Sequence, residues 1–169
     1  GSVLAGLSRV LADEEPDLVL VHGDTTTTMA ASLAAFYRKI PVGHVEAGLR
    51  THDRYYPFPE EMNRVVADDL SSLHFAPTAR ARESLLREGV SPATIFVTGN
   101  TVIDALLDAA GRPGSAGPGA AGALPVPVPD DARLILVTAH RRENFGAPLE
   151  NICGALADAV DAVPDAVVV

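Results

Sequence analysis

The sequence predicts an α/β fold built on parallel sheets. Short apolar runs rich in β-branched residues, such as Leu18-Val-Leu-Val21, alternate with segments whose apolar residues follow helical spacing. This alternation is typical of βαβ units and of a mainly parallel sheet. A stretch dominated by Gly, Pro, Ala and Ser interrupts it between Gly111 and Pro129, and the alternation then resumes. We therefore predict two α/β domains joined by a flexible linker.

Breaking and capping residues mark the helix boundaries. Pro59 has the fixed φ favoured at a first helical position, and Glu60 suits a positive first turn. Thr78 is a good N-cap, and Gly89 is a common stop. Strands are predicted over residues 17–21, 42–46, 73–76, 95–97, 134–138 and 166–169. Helices are predicted over about 3–11, 26–37, 59–69, 79–89, 102–109 and 149–163.

Composition bounds the class of protein. The 169 residues are 47% hydrophobic and 21% charged, as in globular proteins, and their net charge of −9 argues against a nucleic-acid-binding surface. No apolar run approaches the roughly 20 residues of a membrane-spanning helix, and no signal peptide opens the chain. The one cysteine, Cys153, excludes an internal disulfide, so we expect a cytoplasmic protein. Its place on an apolar stripe of the last helix predicts that it is buried.

The ends of the sequence predict an internal fragment. Helical spacing begins almost at the first residue, and nothing follows the last predicted strand. We expect the C-terminal part of a first domain at 1–110, a Gly/Pro-rich linker at 111–130 and the truncated start of a second domain at 131–169.

The segment from His22 to Thr28, His-Gly-Asp-Thr-Thr-Thr-Thr, directly follows the first predicted strand. A tight turn into a helix leaves free N–H groups that suit an anion. Ligands of open α/β sheets bind in the crevice at the carboxyl ends of the strands. We therefore predict a site for a phosphate-bearing substrate here, with His22 and Thr25 as substrate-binding candidates.

Three carboxylates follow strands or begin a helix: Asp24, Glu46 and Glu60. In a doubly wound sheet these positions converge on one rim. Crowding and burial raise some carboxyl pKa values, which suits such a group to moving protons. Taken alone, each carboxylate could equally be a cap or a solvated loop charge. Together they favour a catalytic site.

A basic motif, His140-Arg-Arg-Glu-Asn-Phe-Gly146, follows the predicted strand 134–138. His140 and Arg141 at a strand's carboxyl end could bind a diphosphate, or could belong to a basic surface turn. Arg64 lies four residues after Glu60 and could pair with it structurally, orient it or contact phosphate.

Metal and nucleotide-hydrolysis motifs are missing. The pairs at His22 and Asp24, and at His44 and Glu46, lack the spacing of known metal sites, so we predict no metal. Neither a Walker loop nor a G-x-G-x-x-G motif occurs in the sequence.

Five strings together resemble the non-hydrolysing UDP-N-acetylglucosamine 2-epimerase family. They occur in family order and cover nearly the whole chain outside the linker. The strings are Val21-His-Gly-Asp-Thr-Thr-Thr-Thr28, His44-Val-Glu-Ala-Gly-Leu-Arg-Thr51, Pro57-Phe-Pro-Glu-Glu-Met-Asn-Arg64, Phe96-Val-Thr-Gly-Asn-Thr-Val-Ile-Asp104 and Val137-Thr-Ala-His-Arg-Arg-Glu-Asn-Phe-Gly146.

The resemblance implies two Rossmann-like domains in a GT-B-type architecture, of which this chain carries part. It implies reversible epimerisation at C2 of UDP-N-acetylglucosamine, by elimination and re-addition of UDP, without a cofactor. Asp24, Glu46 and Glu60 match the acid/base candidates, and Arg64 and His140 match an active-site cation and a phosphate-contacting histidine. Arg141 matches a contact to a second, activating UDP-sugar.

The family resemblance carries further expectations. It implies a homodimer, with UDP-N-acetylglucosamine as substrate and activator and with neither nucleic acid nor membrane as partner. Family segments that grip UDP are missing from this chain, so we predict that the fragment alone is inactive. A hydrolysing 2-epimerase, a GT-B-type sugar-nucleotide transferase and a non-catalytic UDP-sugar binder stay open as alternatives.

Overall fold

The structure is a computed structural model that describes residues 1–112, 128–129, 131–139 and 144–169. The chain divides into two compact units, Gly1–Asp104 and Ala105–Val169. Within the described ranges, no helix combines the length and the apolar character needed to cross a membrane.

The first unit alternates helices and strands. In chain order its elements are α1 (Ser2–Glu14), β1 (Val19–His22), α2 (Thr26–Tyr37), β2 (Val42–Val45), α3 (Glu60–Leu70), β3 (Leu73–Ala76), α4 (Ala79–Arg87), a 3₁₀ turn (Pro92–Thr94) and β4 (Ile95–Val97). The four strands form one parallel sheet in the order β1-β2-β3-β4. Helix α5 (Thr101–Gly111) continues from this unit into the second.

One face of the sheet carries the helices. Val21, His44, His74 and Ile95 are register partners across the four strands and therefore share a face. Val21 packs in a buried cluster with α1 and α2, whereas Ile95 packs in another with α4. Both histidines bond to α3. The crossover helices thus all lie on this face, as expected when successive strands are neighbours.

The opposite face of the sheet is apolar and partly exposed. Leu20 is 62% exposed, and the rings of Phe75 and Phe96 stack with centroids 5.9 Å apart. Gly43 lies beneath these side chains, because a Cβ at Gly43 would approach Leu20 Cδ2 to 2.7 Å and Phe75 Cε2 to 3.2 Å. A glycine here lets the two side chains close over the strand.

Most predicted boundaries agree with the structure. The helix predicted over 26–37 and the strands over 73–76 and 95–97 have the predicted bounds. Thr78 caps α4 by accepting from the Ala81 N–H at 3.1 Å. Pro59 is the N-cap of α3 rather than its first helical residue.

The second unit contains a two-stranded parallel sheet of β5 (Arg133–Ile135) and β6 (Ala166–Val168), with α6 (Ala147–Ala162) between them in sequence. The strand predicted over 134–138 is shorter than expected. The predicted burial of Cys153 is wrong, because this residue is exposed. The half-buried stripe of α6 consists of Leu149, Ile152, Leu156 and Val160, so Cys153 lies beside that stripe.

Gly48 is predicted to be indispensable for stability. It has φ +82°, and a Cβ there would lie 2.3 Å from the Ala81 carbonyl oxygen. We expect Gly48→Ala to lower the free energy of unfolding by more than about 2 kcal/mol, measured by urea denaturation. Gly89→Ala is the matched control, since Gly89 has φ +90° but open space around it. It should cost only about 1 kcal/mol, and equal losses would contradict the steric argument.

Candidate active site

The turn after β1 is held by three side chains from three different elements. The His22 carbonyl accepts from Thr28 Oγ1 of α2 at 2.7 Å, and the Gly23 carbonyl lies 2.7 Å from His44 Nε2 of β2. The Asp24 carbonyl accepts from Asn63 Nδ2 of α3 at 2.9 Å. Every carbonyl of this turn therefore has a protein donor, and the turn has a defined conformation.

Asp24 is placed by this turn at the carboxyl edge of the sheet. Burial raises the pKa of its carboxyl group; the charge of Arg64 opposes the rise, while Glu60 and Glu46 add to it. Arg64 Nη1 lies 3.4 Å from Asp24 Oδ2. The pKa of Asp24 is raised overall, so this carboxyl group holds a proton more readily than an ordinary aspartate.

Glu46 follows β2 at the same edge. Its Oε1 accepts from Asn100 Nδ2 at 2.9 Å, and its Oε2 lies 3.6 Å from His22 Nε2. The backbone of Glu46 has φ +72°, in the left-handed region that non-glycine residues seldom occupy. The Phe75 carbonyl of β3 accepts from its N–H at 3.0 Å and stabilises this conformation. Backbone strain of this kind concentrates at functional sites.

Arg64 is oriented by Glu61 rather than by Glu60. Glu61 is 3% exposed, and its Oε2 lies 2.8 Å from Arg64 Nε and 2.5 Å from Nη2. The same carboxylate accepts from the N–H groups of Thr51 and His52. Burial would raise the pKa of Glu61, but these hydrogen bonds and the charge of Arg64 lower it overall. Arg64 therefore approaches Asp24 in a fixed geometry.

Behind the edge, a buried ionic cluster joins β2 to α3. Asp68 Oδ1 lies 2.5 Å from His44 Nδ1, and Asp68 Oδ2 accepts from the Gly48 N–H at 3.1 Å and lies 2.8 Å from Arg50 Nη1. Arg50 also bonds to Glu88 at the end of α4 through Nε and Nη2, at 2.8 and 2.6 Å. This cluster fixes the loop that follows β2 against two helices.

The structure brings most predicted site residues together. His22, Asp24 and Glu46 lie at the carboxyl edge, and Glu60 at the start of α3 is close enough to raise the pKa of Asp24. Thr25 caps α2 by accepting from the Thr28 N–H, and its predicted role in substrate binding stays a prediction. Arg64 reaches Asp24 from α3, whereas His140 and Arg141 lie outside the described residues.

Sequence reasoning missed several residues that shape the candidate site, among them Asn63, Asn100, Glu61 and Asp68. Asn100 lies in the turn after β4, so its position at a strand's carboxyl end was an available signal. Asn63 and Asp68 lie within a helix, where nothing local distinguishes them from solvated polar residues. Glu61 has the i,i+3 spacing to Arg64 and Glu60 has the i,i+4 spacing, so spacing alone does not identify Glu61 as the partner of Arg64.

Comparison with known proteins gives a consistent result. Residues 1–169 match the family model described as UDP-N-acetylglucosamine 2-epimerase. The Escherichia coli K12 protein of that name is 55% identical over 159 residues, which are 92% of this chain and 42% of that relative. The chain thus spans about two fifths of the length of the curated relatives it matches.

Two solved structures are similar over almost the whole chain. The UDP-GlcNAc 2-epimerase from Neisseria meningitidis, bound to UDP-GlcNAc, has a TM-score of 0.90 and 46% identity over 98% of this chain and 45% of its own. S. aureus MnaA, solved with UDP, has a TM-score of 0.89 and 46% identity over 99% of this chain and 44% of its own. They confirm the predicted α/β fold class with parallel sheets. In both structures the matched region is less than half of the whole chain.

Replacing the Asp24 carboxylate should stabilise the chain. Its folded pKa is raised, so ionisation of Asp24 costs stability as the pH rises through the folded pKa. We expect Asp24→Asn to raise the free energy of unfolding at pH 7, measured by urea denaturation, by under about 1 kcal/mol because a third of the side chain is exposed. The gain should vanish well below pH 3.8, where Asp24 is protonated in both states. Asp17→Asn, at an exposed position outside the site, should change little.

Neighbouring glutamates on α3 should differ sharply in their contribution to stability. Glu61→Gln leaves the buried Arg64 guanidinium without its main counter-charge and should cost about 3 kcal/mol. Glu60→Gln is the matched control and should cost under about 0.5 kcal/mol. Since the folded pKa of Glu61 is lowered, its contribution is present above the unfolded value near 4.5 and is lost as the pH falls through the folded value. Urea denaturation between pH 3 and 7 measures both effects, and similar losses in the two variants would contradict the assignment.

Proposed function

The chain belongs to the UDP-N-acetylglucosamine 2-epimerase family, and we propose that a family-length protein carrying it interconverts UDP-N-acetylglucosamine and UDP-N-acetylmannosamine. The observation that carries this proposal is the group of three carboxylates at the carboxyl edge of the first sheet. Glu46 and Glu60 both raise the pKa of Asp24, so the three groups are close enough to interact. Such a group can move a proton on and off carbon.

The reaction needs groups that transfer protons on both faces of the sugar ring. A carboxylate removes the C2 proton while the C1–O bond to UDP breaks, and a C1–C2 double bond forms in the 2-acetamidoglucal, which stays bound beside UDP. In the return step UDP adds to C1, and a second acid delivers a proton to C2 from the opposite face. Three carboxylates in different surroundings suit this scheme, because one must hold a proton while another accepts one. The raised pKa of Asp24 suits it to hold a proton.

Charge stabilisation is the second requirement, because the leaving diphosphate carries the developing negative charge. We assign this work to Arg64, which Glu61 holds in place, and to His140 on the basis of the sequence. His22 and Thr25 are proposed substrate contacts on the same grounds. Arg141 is proposed to contact a second UDP-sugar that acts as activator.

The assembly and its environment are also proposals. We propose a first domain at 1–110, a linker at 111–130 and a second domain from 131, with a homodimer as the working form in the cytoplasm. The relative from Neisseria meningitidis was solved with UDP-GlcNAc, which supports a nucleotide sugar as the ligand class. This chain alone is expected to be inactive, since the relatives are more than twice its length.

The reaction is tested by proton NMR of UDP-N-acetylglucosamine in D₂O with a family-length protein carrying this sequence. We expect deuterium at C2 together with a UDP-N-acetylmannosamine signal. Asp24→Asn, Glu46→Gln and Glu60→Gln should each lower kcat by about 10² or more, because general acid–base groups contribute on that scale. Glu83→Gln, at an exposed position on α4, is the control and should stay within about twofold.

Other outcomes identify the alternatives. Release of free N-acetylmannosamine would indicate a hydrolysing epimerase. Binding without deuterium exchange would leave a sugar-nucleotide transferase or a non-catalytic binder, and would overturn the proposal. Carboxamide variants as active as Glu83→Gln would contradict the assigned residues but not the reaction.

A further inference from the structure

His44 of β2 is fully buried and lies between two hydrogen-bond acceptors. Its Nδ1 is 2.5 Å from Asp68 Oδ1, and its Nε2 is 2.7 Å from the Gly23 carbonyl oxygen. Burial would raise the pKa of Asp68, but its hydrogen bonds and charge interactions with His44 and Arg50 lower it overall. Since the Gly23 carbonyl can only accept, His44 Nε2 carries a proton and donates to it.

The carboxyl group that meets the other ring nitrogen is itself fixed. Arg50 and Asp68 are each 1% exposed and form an ion pair, and Arg50 also binds Glu88 at the end of α4. The His44 ring is therefore held at both nitrogens, by Asp68 on one side and by the Gly23 carbonyl on the other.

We propose that His44 is a positioning residue for catalysis, holding through its Nε2–H the Gly23 carbonyl and thereby the turn that carries Asp24. The inference rests on the proposed function of Asp24 and Glu46. Gly23 lies between them: it precedes Asp24, and a Cβ built on it would be 3.4 Å from Glu46 Oε2. A shift of the Gly23 peptide would change the spacing of both carboxylates around the reacting carbon. Misplacement by about 1 Å can cost 10²-fold in rate.

Two amide substitutions distinguish the two hydrogen bonds that the His44 ring makes. An asparagine nitrogen occupies the position of the histidine Nδ1, so His44→Asn can keep the bond to Asp68 and loses the bond to Gly23. A glutamine nitrogen reaches the position of Nε2, so His44→Gln can keep the bond to Gly23 and loses the bond to Asp68. His44→Asn should be more stable to unfolding than His44→Gln, because it keeps the buried carboxylate of Asp68 hydrogen-bonded.

A positioning role predicts the opposite order for turnover. In the family-length protein, we expect the kcat of His44→Asn to be at least about tenfold below that of His44→Gln, because only the glutamine can hold the turn. KM should stay within about threefold in both, since neither bond reaches substrate. Steady-state kinetics and urea denaturation of the same preparations rank the two variants by kcat and by stability.

His74 supplies the matched control. It is the register partner of His44 on β3, is also buried, and bonds through Nε2 to the main-chain oxygen of Asp68 at 3.0 Å. Its Nδ1 has no hydrogen-bond partner within the described part of the chain, and neither of its nitrogens bonds to the turn that carries Asp24. His74→Gln should lower stability and leave kcat within about threefold of the unsubstituted protein.

The outcomes are distinct. Three results would overturn the positioning role while epimerisation by the unsubstituted protein stands. They are equal losses of kcat in the two His44 variants, losses of kcat that follow the order of the unfolding midpoints, and a comparable loss of kcat in His74→Gln. Absence of epimerisation in the unsubstituted protein would instead overturn the proposed function, and this inference with it.

Discussion

The carboxylate of Asp68 is the contact on which the arrangement of the first unit depends. Its two oxygens bind the His44 ring, the Gly48 N–H and the Arg50 guanidinium, while its main-chain oxygen accepts from His74. These groups come from β2, from the loop after it and from β3. Removing one member of a buried ionic group typically costs about 3–5 kcal/mol, because its partners stay charged and unpaired. Asp68 therefore fixes α3 against the sheet in one orientation.

That orientation decides where α3 presents the side chains that it contributes to the candidate site. The helix supplies Glu60, Asn63 and Arg64 to the carboxyl edge, four to eight residues before Asp68, which is one to two helical turns. Glu61 then binds the backbone of the loop at Thr51 and His52. The same helix thus anchors itself at one end and orders the site at the other. The left-handed backbone of Glu46 persists within this frame because its neighbours are fixed.

Position along the chain was sufficient to predict that two carboxylates of the candidate site lie near each other. Asp24 and Glu46 follow parallel strands that are neighbours, so their convergence follows from the topology alone. The pairing of Arg64 did not follow, because helical spacing permits both Glu60 and Glu61, and only the loop at Thr51 favours the second. The contact of His44 with Asp68 was equally hidden, since it arises from packing between β2 and α3. The burial predicted for Cys153 was wrong because an apolar stripe in the sequence does not show which side of the helix other elements cover.

The three side chains that bind the carbonyls of residues 22–24 have a consequence for the energetics of charge movement. Water around a reacting group must reorient when charge moves, and that reorientation adds to the barrier. Here Thr28, His44 and Asn63 hold the peptide dipoles instead. Their orientation is set during folding, so these dipoles need not reorient when charge changes near Asp24.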